Sequence, residues 1–357
     1  MTTKTKINTR ASDRTDVARG TLFGVAFGDA LGKPTEFVTS YEKIVRSGLG
    51  VHLPLPEAVV TDDTEMTIAV ARAIQDFDDP YVIDVEALRA RYVEWRANNV
   101  WGRAAGATCL RGAEATAKHP RWSWQACTSP FAKGCGANMR VAAIGLVPEW
   151  DADDVANVAQ LSAALTHGHP TALAAAELTA LAVWYLRTGV TNLERLPHAL
   201  VERCRSQRGV YRSEFLGRLA DRWRSGADRL ETRYQPRTAR RAMTIGWNEC
   251  EEQLSRVTRE LRRSDQHGDV SRLIGAGWVA EEALATALYA AVRYSYEPRF
   301  ALQRAAQTSG DSDSLAAIAG SFLGAAYGAE AWPDHWYDRI EYADELTRLA
   351  KRWDDAA

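Results

Sequence analysis

Glycines recur at every fourth position in Gly20, Gly24, Gly28 and Gly32, and again in Gly320, Gly324 and Gly328. Residues four apart lie above one another on an α-helix, so each set falls along a single helix face. Glycine in a helix interior costs roughly 0.5–1 kcal/mol relative to alanine, so a stripe of glycines persists only where something offsets that cost. Close approach of a second backbone is the usual compensation. The pattern predicts that the helix starting at Val17 and the last strongly apolar helix touch each other.

The stretch between them carries helical periods. Residues 66–74 read as a second buried helix, introduced by Thr61-Asp62-Asp63-Thr64-Glu65, and residues 84–98 as an amphipathic one with Val85, Leu88, Tyr92 and Trp95 on its core stripe. Further helices are expected over 103–119, 151–166, 170–186, 279–292, from Pro298, and over 342–353. Pro34, Pro54 and Pro56 bracket an irregular segment, and the tryptophan-bearing residues 120–136 read as a long loop. Arg205, Arg208, Arg212, Arg218, Arg222 and Arg224 read as solvated helix faces. No run alternates with period two, and no linker marks a domain boundary. The expectation is an all-α protein, one compact domain over residues 17–357 behind a flexible polar tail, residues 1–16.

Charge is nearly balanced, 44 Lys+Arg against 46 Asp+Glu, which gives no electrostatic argument for nucleic acid or an anionic membrane. The cysteines Cys109, Cys127, Cys135, Cys204 and Cys250 are odd in number and contain no C-x-x-C pair, which argues against a disulfide framework and a zinc site and fits a reducing cytoplasm. The first residues lack the apolar centre of a signal peptide, and no later run is long and uncharged enough to span a bilayer.

Two short segments carry the chemistry. Gly310-Asp311-Ser312-Asp313-Ser314 and Thr61-Asp62-Asp63-Thr64 each crowd carboxylates and hydroxyls onto the start of an apolar helix. Either alone reads as an N-cap, which needs one oxygen. Together, Thr61, Asp62 and Asp63 with Asp311, Asp313 and Ser314 offer enough hard oxygen donors for two divalent ions, magnesium or alternatively manganese, of the kind that activate water for hydrolysis.

With these segments on either side, the ordered motifs resemble the ADP-ribosylglycohydrolases, among them the dinitrogenase reductase-activating glycohydrolases and the ADP-ribosylarginine hydrolases. Gly28-Asp29-Ala30-Leu31-Gly32 with Glu36 looks like the opening helix and acidic loop residue of that family. Gly134-Cys135-Gly136-Ala137-Asn138-Met139-Arg140 looks like its glycine-rich substrate loop, and Leu165-Thr166-His167 like the end of its central helix. The resemblance implies an orthogonal all-α fold and a binuclear Mg²⁺ or Mn²⁺ centre, with Thr61, Asp62, Asp63, Asp311, Asp313 and Ser314 as ligands. It further implies that the loop residues Gly134 to Met139 meet the ligand, backbone N–H groups of the Gly-x-Gly turn cradling a diphosphate. Cys135 stands where asparagine or serine is common in relatives. His167 reads either as a helix-end cap or as a pocket residue, and Trp278 either as a core anchor or as a stacking wall for adenosine.

The activity implied is hydrolysis of the bond joining ADP-ribose to a protein side chain, arginine being the favoured acceptor, with Glu36, Asp62 or Asp313 as the proton acceptor. Two other readings stay open at this level. One is a binding or immunity protein that blocks an ADP-ribosylating toxin by contact, the polar tail being its only hint. The other is a hydrolase of free ADP-ribosyl compounds.

Overall fold

In the computed structural model, which describes residues 16–54, 56–77, 79, 82–99, 102–226, 238–264 and 268–357, the fold is built around one helix pair. Helix α1 (Val17–Gly32) is buried along almost its whole length. Its glycine face lies against α16 (Ser312–Tyr327), running the opposite way: Gly20 meets Gly324 and Gly328, Gly24 meets Gly320, Gly28 meets Ala316 and Gly32 meets Ser312. A Cβ at Gly24 would overlap the carbonyl of Gly320, and one at Gly320 would overlap the carbonyl of Gly24. The predicted contact is therefore backbone on backbone.

The other helices are layered around this pair. Between the two in sequence come α2 (Tyr41–Ser47), α3 (Asp62–Gln75), α4 (Val85–Asn98), α5 (Ala107–Lys118), α6 (Trp124–Cys127), α7 (Ala152–Ala164), α8 (Pro170–Thr188) and α9 (Leu196–Ser206). They are followed by α10 (Ser213–Leu216), α11 (Leu219–Ser225), α12 (Ala239–Leu261), α13 (Val270–Leu273), α14 (Ala280–Arg293) and α15 (Pro298–Ala306), and after α16 by α17 (Asp334–Tyr337) and α18 (Ala343–Asp354). Only isolated β-bridges occur among the described residues, so the protein is all-α as expected. The alanine-rich α8 is buried from Pro170 to Val183 and packs on α7, α12, α14 and α16. The C-terminus seals the start of α1, where Asp354 accepts the amides of Ala18 and Arg19 at 2.7 and 3.0 Å. No helix among the described residues is long and apolar enough to cross a membrane.

Several expectations are corrected in detail. The helix expected over 103–119 begins at Ala107, because Ala104 takes a left-handed φ of 57° that a helix cannot contain. The loop expected over 120–136 holds α6 and ends in a 3₁₀ turn at Cys135–Ala137, and the irregular segment around the prolines contains α2, capped by Ser40. Helices this short carry too little period to read from sequence. Arg212 is not simply solvated: with Arg203 it converges on the fully buried Glu177. The tail assigned to residues 1–16 lies, apart from Asp16, outside the described residues.

Candidate functional site

The antiparallel α1–α16 pair sets the end of α1 beside the start of α16. The hydroxyls of Thr35 and Ser312 join there, 2.8 Å apart, and Ser312 donates to the carbonyl of Gly32 at 2.9 Å. The turn that follows α1 then carries Glu36 over the first turn of α16. Carboxylate oxygens of Glu36, Asp311 and Asp313 all lie within 4.8 Å of one another.

Helix α3 supplies the opposite wall. Its N-cap is Thr61, whose hydroxyl accepts from the amide of Asp63, and Asp62 and Asp63 are buried in its first turn. Asp29 from α1 holds this turn in place: its carboxylate accepts the amides of Thr61 and Thr64 at 2.9 and 3.1 Å and the Thr64 hydroxyl at 2.5 Å. Asp62 accepts the amide of Gly106 at 3.2 Å. One oxygen of Asp63, Oδ1, is buried with no hydrogen-bond partner among the described residues, an arrangement that costs free energy unless something cationic or protic fills it.

The third wall is the loop from Lys133 to Met139, fastened to the segment before α14. The amide of Ala280 donates to the Lys133 carbonyl at 2.9 Å, the amide of Cys135 to the Trp278 carbonyl at 3.2 Å, and Gly134 bridges Val279. The amide of Asp311 donates to Ala276 at 2.8 Å, so the same strut holds the loop and the acidic turn. The Cys135 thiol donates to Asp311 at 2.7 Å, and the Ser314 hydroxyl reaches the Cys135 sulfur at 3.7 Å.

These walls enclose an open cavity of about 280 Å³. Glu36, Asp62, Asp63, Gly134, Cys135, Gly136, Met139, His167, Trp278, Asp311, Asp313 and Ser314 all line it, as do Phe37, Thr108 and Cys109. Three residues singled out in the sequence do not. Thr61 sits behind the lining as a cap, Ala137 is fully buried, and Asn138 turns into the core to donate to the Ala280 carbonyl and the Thr179 hydroxyl at 3.1 and 3.3 Å. Trp278 is no core anchor; it is 43% exposed and stacks on Phe37 at 5.7 Å between ring centroids.

Burial of so many acids together, without counter-charge, favours their protonated forms. Burial and then the neighbouring Asp313 push Glu36 up to about 10, Asp62 to about 8 and Asp29 to about 7. Asp63 and Asp311 are raised for the same reasons. His167 is shifted the other way, down to about 3, by burial and then by Arg140. Oxygen-rich donors, a shared negative charge and an orphaned Asp63 oxygen fit a hard divalent cation.

Asp29 was visible only as a letter in the opening motif, although a carboxylate among the apolar residues of a buried helix is a signal in itself. Phe37 carried none beyond its place beside Glu36.

Residues 10–357 match the ADP-ribosylglycohydrolase family. The chain is 24% identical to ADP-ribosyl-[dinitrogen reductase] glycohydrolase of Rhodospirillum rubrum over 96% of its own length and 95% of the relative's. It is likewise 24% identical to ADP-ribosylarginine hydrolase Tri1 of Serratia proteamaculans, over 96% of this chain and 80% of that one. Human ADP-ribosylhydrolase ARH3 is 31% identical over 61% of this chain and 56% of its own. Among solved structures, an ADP-ribosylglycohydrolase-related protein complex superposes with a TM-score of 0.62 at 20% identity, covering 95% of this chain and 97% of that one.

Proposed function

The chain belongs to the ADP-ribosylglycohydrolase family, and we propose that it removes ADP-ribose from a modified arginine side chain of a protein. The observation that carries this reading is the meeting of Glu36, Asp311 and Asp313 in one cavity with Asp62, Asp63 and the glycine-rich loop. The family likeness supports a glycosidic-bond hydrolase. The similarity to an arginine hydrolase over 96% of the chain, against 61% for ARH3, favours arginine as the acceptor.

Two divalent ions, Mg²⁺ or Mn²⁺, would be held by Asp311, Asp313 and Ser314 on one side and by Asp62 and Asp63 on the other, with the Thr61 hydroxyl reaching in from behind Asp63, 3.4 Å from its Oδ2. When bound they neutralise the acids and polarise the oxygens of the ligand. The residues of the chain supply the rest. Within the loop the amides of Cys135, Ala137, Asn138 and Met139 already donate to Trp278, Gly134 and Cys135, so the main-chain donors left for a diphosphate among the described residues are those of Gly134 and Gly136, and the Phe37–Trp278 pair gives an aromatic face at the cavity mouth. Glu36, only half-buried and beside Asp313, is the group best placed to exchange a proton with water. In the reaction the oxygen of water bonds to the anomeric carbon, the carbon–nitrogen bond breaks, and the guanidine leaves with a proton.

The test is to incubate the protein and Mg²⁺ or Mn²⁺ with arginine-, serine- and cysteine-linked ADP-ribosyl substrates. Release from the arginine linkage is expected, abolished in the Asp62→Ala/Asp313→Ala double variant. Full activity of that variant, or cleavage confined to another linkage, would sink the proposal.

A further inference from the structure

Arg140 is a fully buried cation, and among the described residues it forms no ion pair with a carboxylate. Its guanidinium lies 4.6 Å from the Tyr92 ring centroid. One terminal nitrogen, Nη2, donates to the Ser162 carbonyl at 2.7 Å and to the Thr166 hydroxyl oxygen at 2.8 Å. The other, Nη1, faces the sulfurs of Met66 and Cys109 at 3.6 and 3.5 Å. The Thr166 hydroxyl is in turn 2.8 Å from Nδ1 of His167.

Hydrogen counting decides the direction of this chain. A guanidinium has donors and no acceptor, so the Thr166 oxygen must accept from Arg140. The hydroxyl keeps one hydrogen to give. Thr166 is fully buried, and among the described residues the other atom in hydrogen-bond contact with its hydroxyl is Nδ1 of His167. Nδ1 therefore accepts, and the ring proton sits on Nε2. Nε2 lies at the two loop glycines: a Cβ at Gly134 would stand 3.3 Å from it and one at Gly136 3.4 Å. The bare glycines leave that edge of the ring open to the cavity, which His167 lines.

We propose that Arg140 and Thr166 are positioning residues that fix His167 as its Nε2–H tautomer, so that the imidazole offers the ligand a hydrogen-bond donor and no acceptor. The partner is then an oxygen acceptor, a phosphate or a sugar oxygen, presented at Gly134 and Gly136. Burial and the adjacent Arg140 charge keep the ring neutral and so preserve its acceptor edge for Thr166. The identity of the ligand as an ADP-ribosyl group rests on the function proposed above; the tautomer does not.

The experiment is long-range ¹H–¹⁵N spectroscopy of the full-length protein labelled at histidine, His167 being assigned with a His167→Gln variant. Wild type should show protonated Nε2 and bare Nδ1, unchanged between pH 8 and pH 5. Thr166→Val should mix the two tautomers and weaken ADP-ribose binding about 3- to 10-fold, the worth of one hydrogen bond, while Thr166→Ser should restore both. A wild-type ring protonated at Nδ1, or a Thr166→Val protein that keeps Nε2–H alone, overturns the proposal. Should Thr166→Val fail to fold, the wild-type spectrum still decides. An Nε2–H ring in a protein that does not bind ADP-ribose supports the relay and counts against the proposed function.

Discussion

Thr64 on α3 gives its hydroxyl proton to Asp29 on α1 at 2.5 Å, in a place sealed from solvent. Asp29 thus serves as the acceptor that seats the start of α3 and, with it, Asp62 and Asp63. Asp29→Ala would strand two amides and a hydroxyl. An unsatisfied buried group costs roughly 1–3 kcal/mol, so urea unfolding should show a loss of about 2–5 kcal/mol, together with weaker Mn²⁺ binding by calorimetry. Asp29→Asn, which keeps one acceptor oxygen, should lose less on both measures.

The acid cluster predicts a pH signature with a definite sign. Asp62 and Glu36 titrate at about 8 and about 10 in the folded chain, against about 4 when unfolded. Between those limits the folded state holds protons that the unfolded state has released, so stability of the metal-free protein falls as pH rises from about 4 towards 8. Divalent cations compete with those protons. The rise in melting temperature on adding Mn²⁺ should therefore be larger at pH 8 than at pH 6, and calorimetry in buffers of different ionisation enthalpy should register proton release on binding. A rise that shrinks with pH would contradict this.

The glycine contact is the least forgiving part of the fold. Gly24→Val would drive a side chain into the Gly320 carbonyl and the Trp332 indole, and since backbone cannot be displaced cheaply the expected cost is about 4 kcal/mol or more. Gly48→Ala is the control: there is open space around it, and only its φ of 69° resists, at about 1 kcal/mol. Thermal unfolding of the two variants should separate them widely.

Phe37 and Trp278 are exposed, so replacing either by alanine should leave the melting temperature nearly unchanged. Aromatic stacking is worth about 0.5–1.5 kcal/mol, and loss of either ring should weaken ADP-ribose binding about 2- to 10-fold with unaltered metal affinity. Equal binding in both variants would remove the rings from the site.

What could be read from the residues alone was whatever had a period or a motif. The two glycine stripes named their own contact, and the paired acidic turns at Thr61 and Gly310 proved to share one cavity. Asn138 shows the limit: in a continuous motif nothing distinguishes a residue that faces the ligand from its neighbour that fastens the loop to Thr179 and Ala280. Arg140 shows it again, since a guanidinium reads as surface until a buried Tyr92, a carbonyl and a threonine are found around it. In the arginine-rich stretch Arg205, Arg208, Arg218 and Arg224 are solvated as read, and Arg212 departs from that reading because its partner Glu177 comes from an alanine- and leucine-rich helix distant in sequence.

The partnership of α1 with α16 also sets a timetable for synthesis. Helix α1 must keep its glycine face unmatched until the roughly 280 residues from Gly32 to Ser312 have been translated. Contacts so distant along the chain slow folding, and a nascent chain ending before Ser312 would lack Asp313, Ser314 and the whole surface that covers Gly20 to Gly32. The acidic cavity therefore joins parts of the chain far apart in the order of synthesis, and Glu36 meets Asp313 only after the start of α16 has been made.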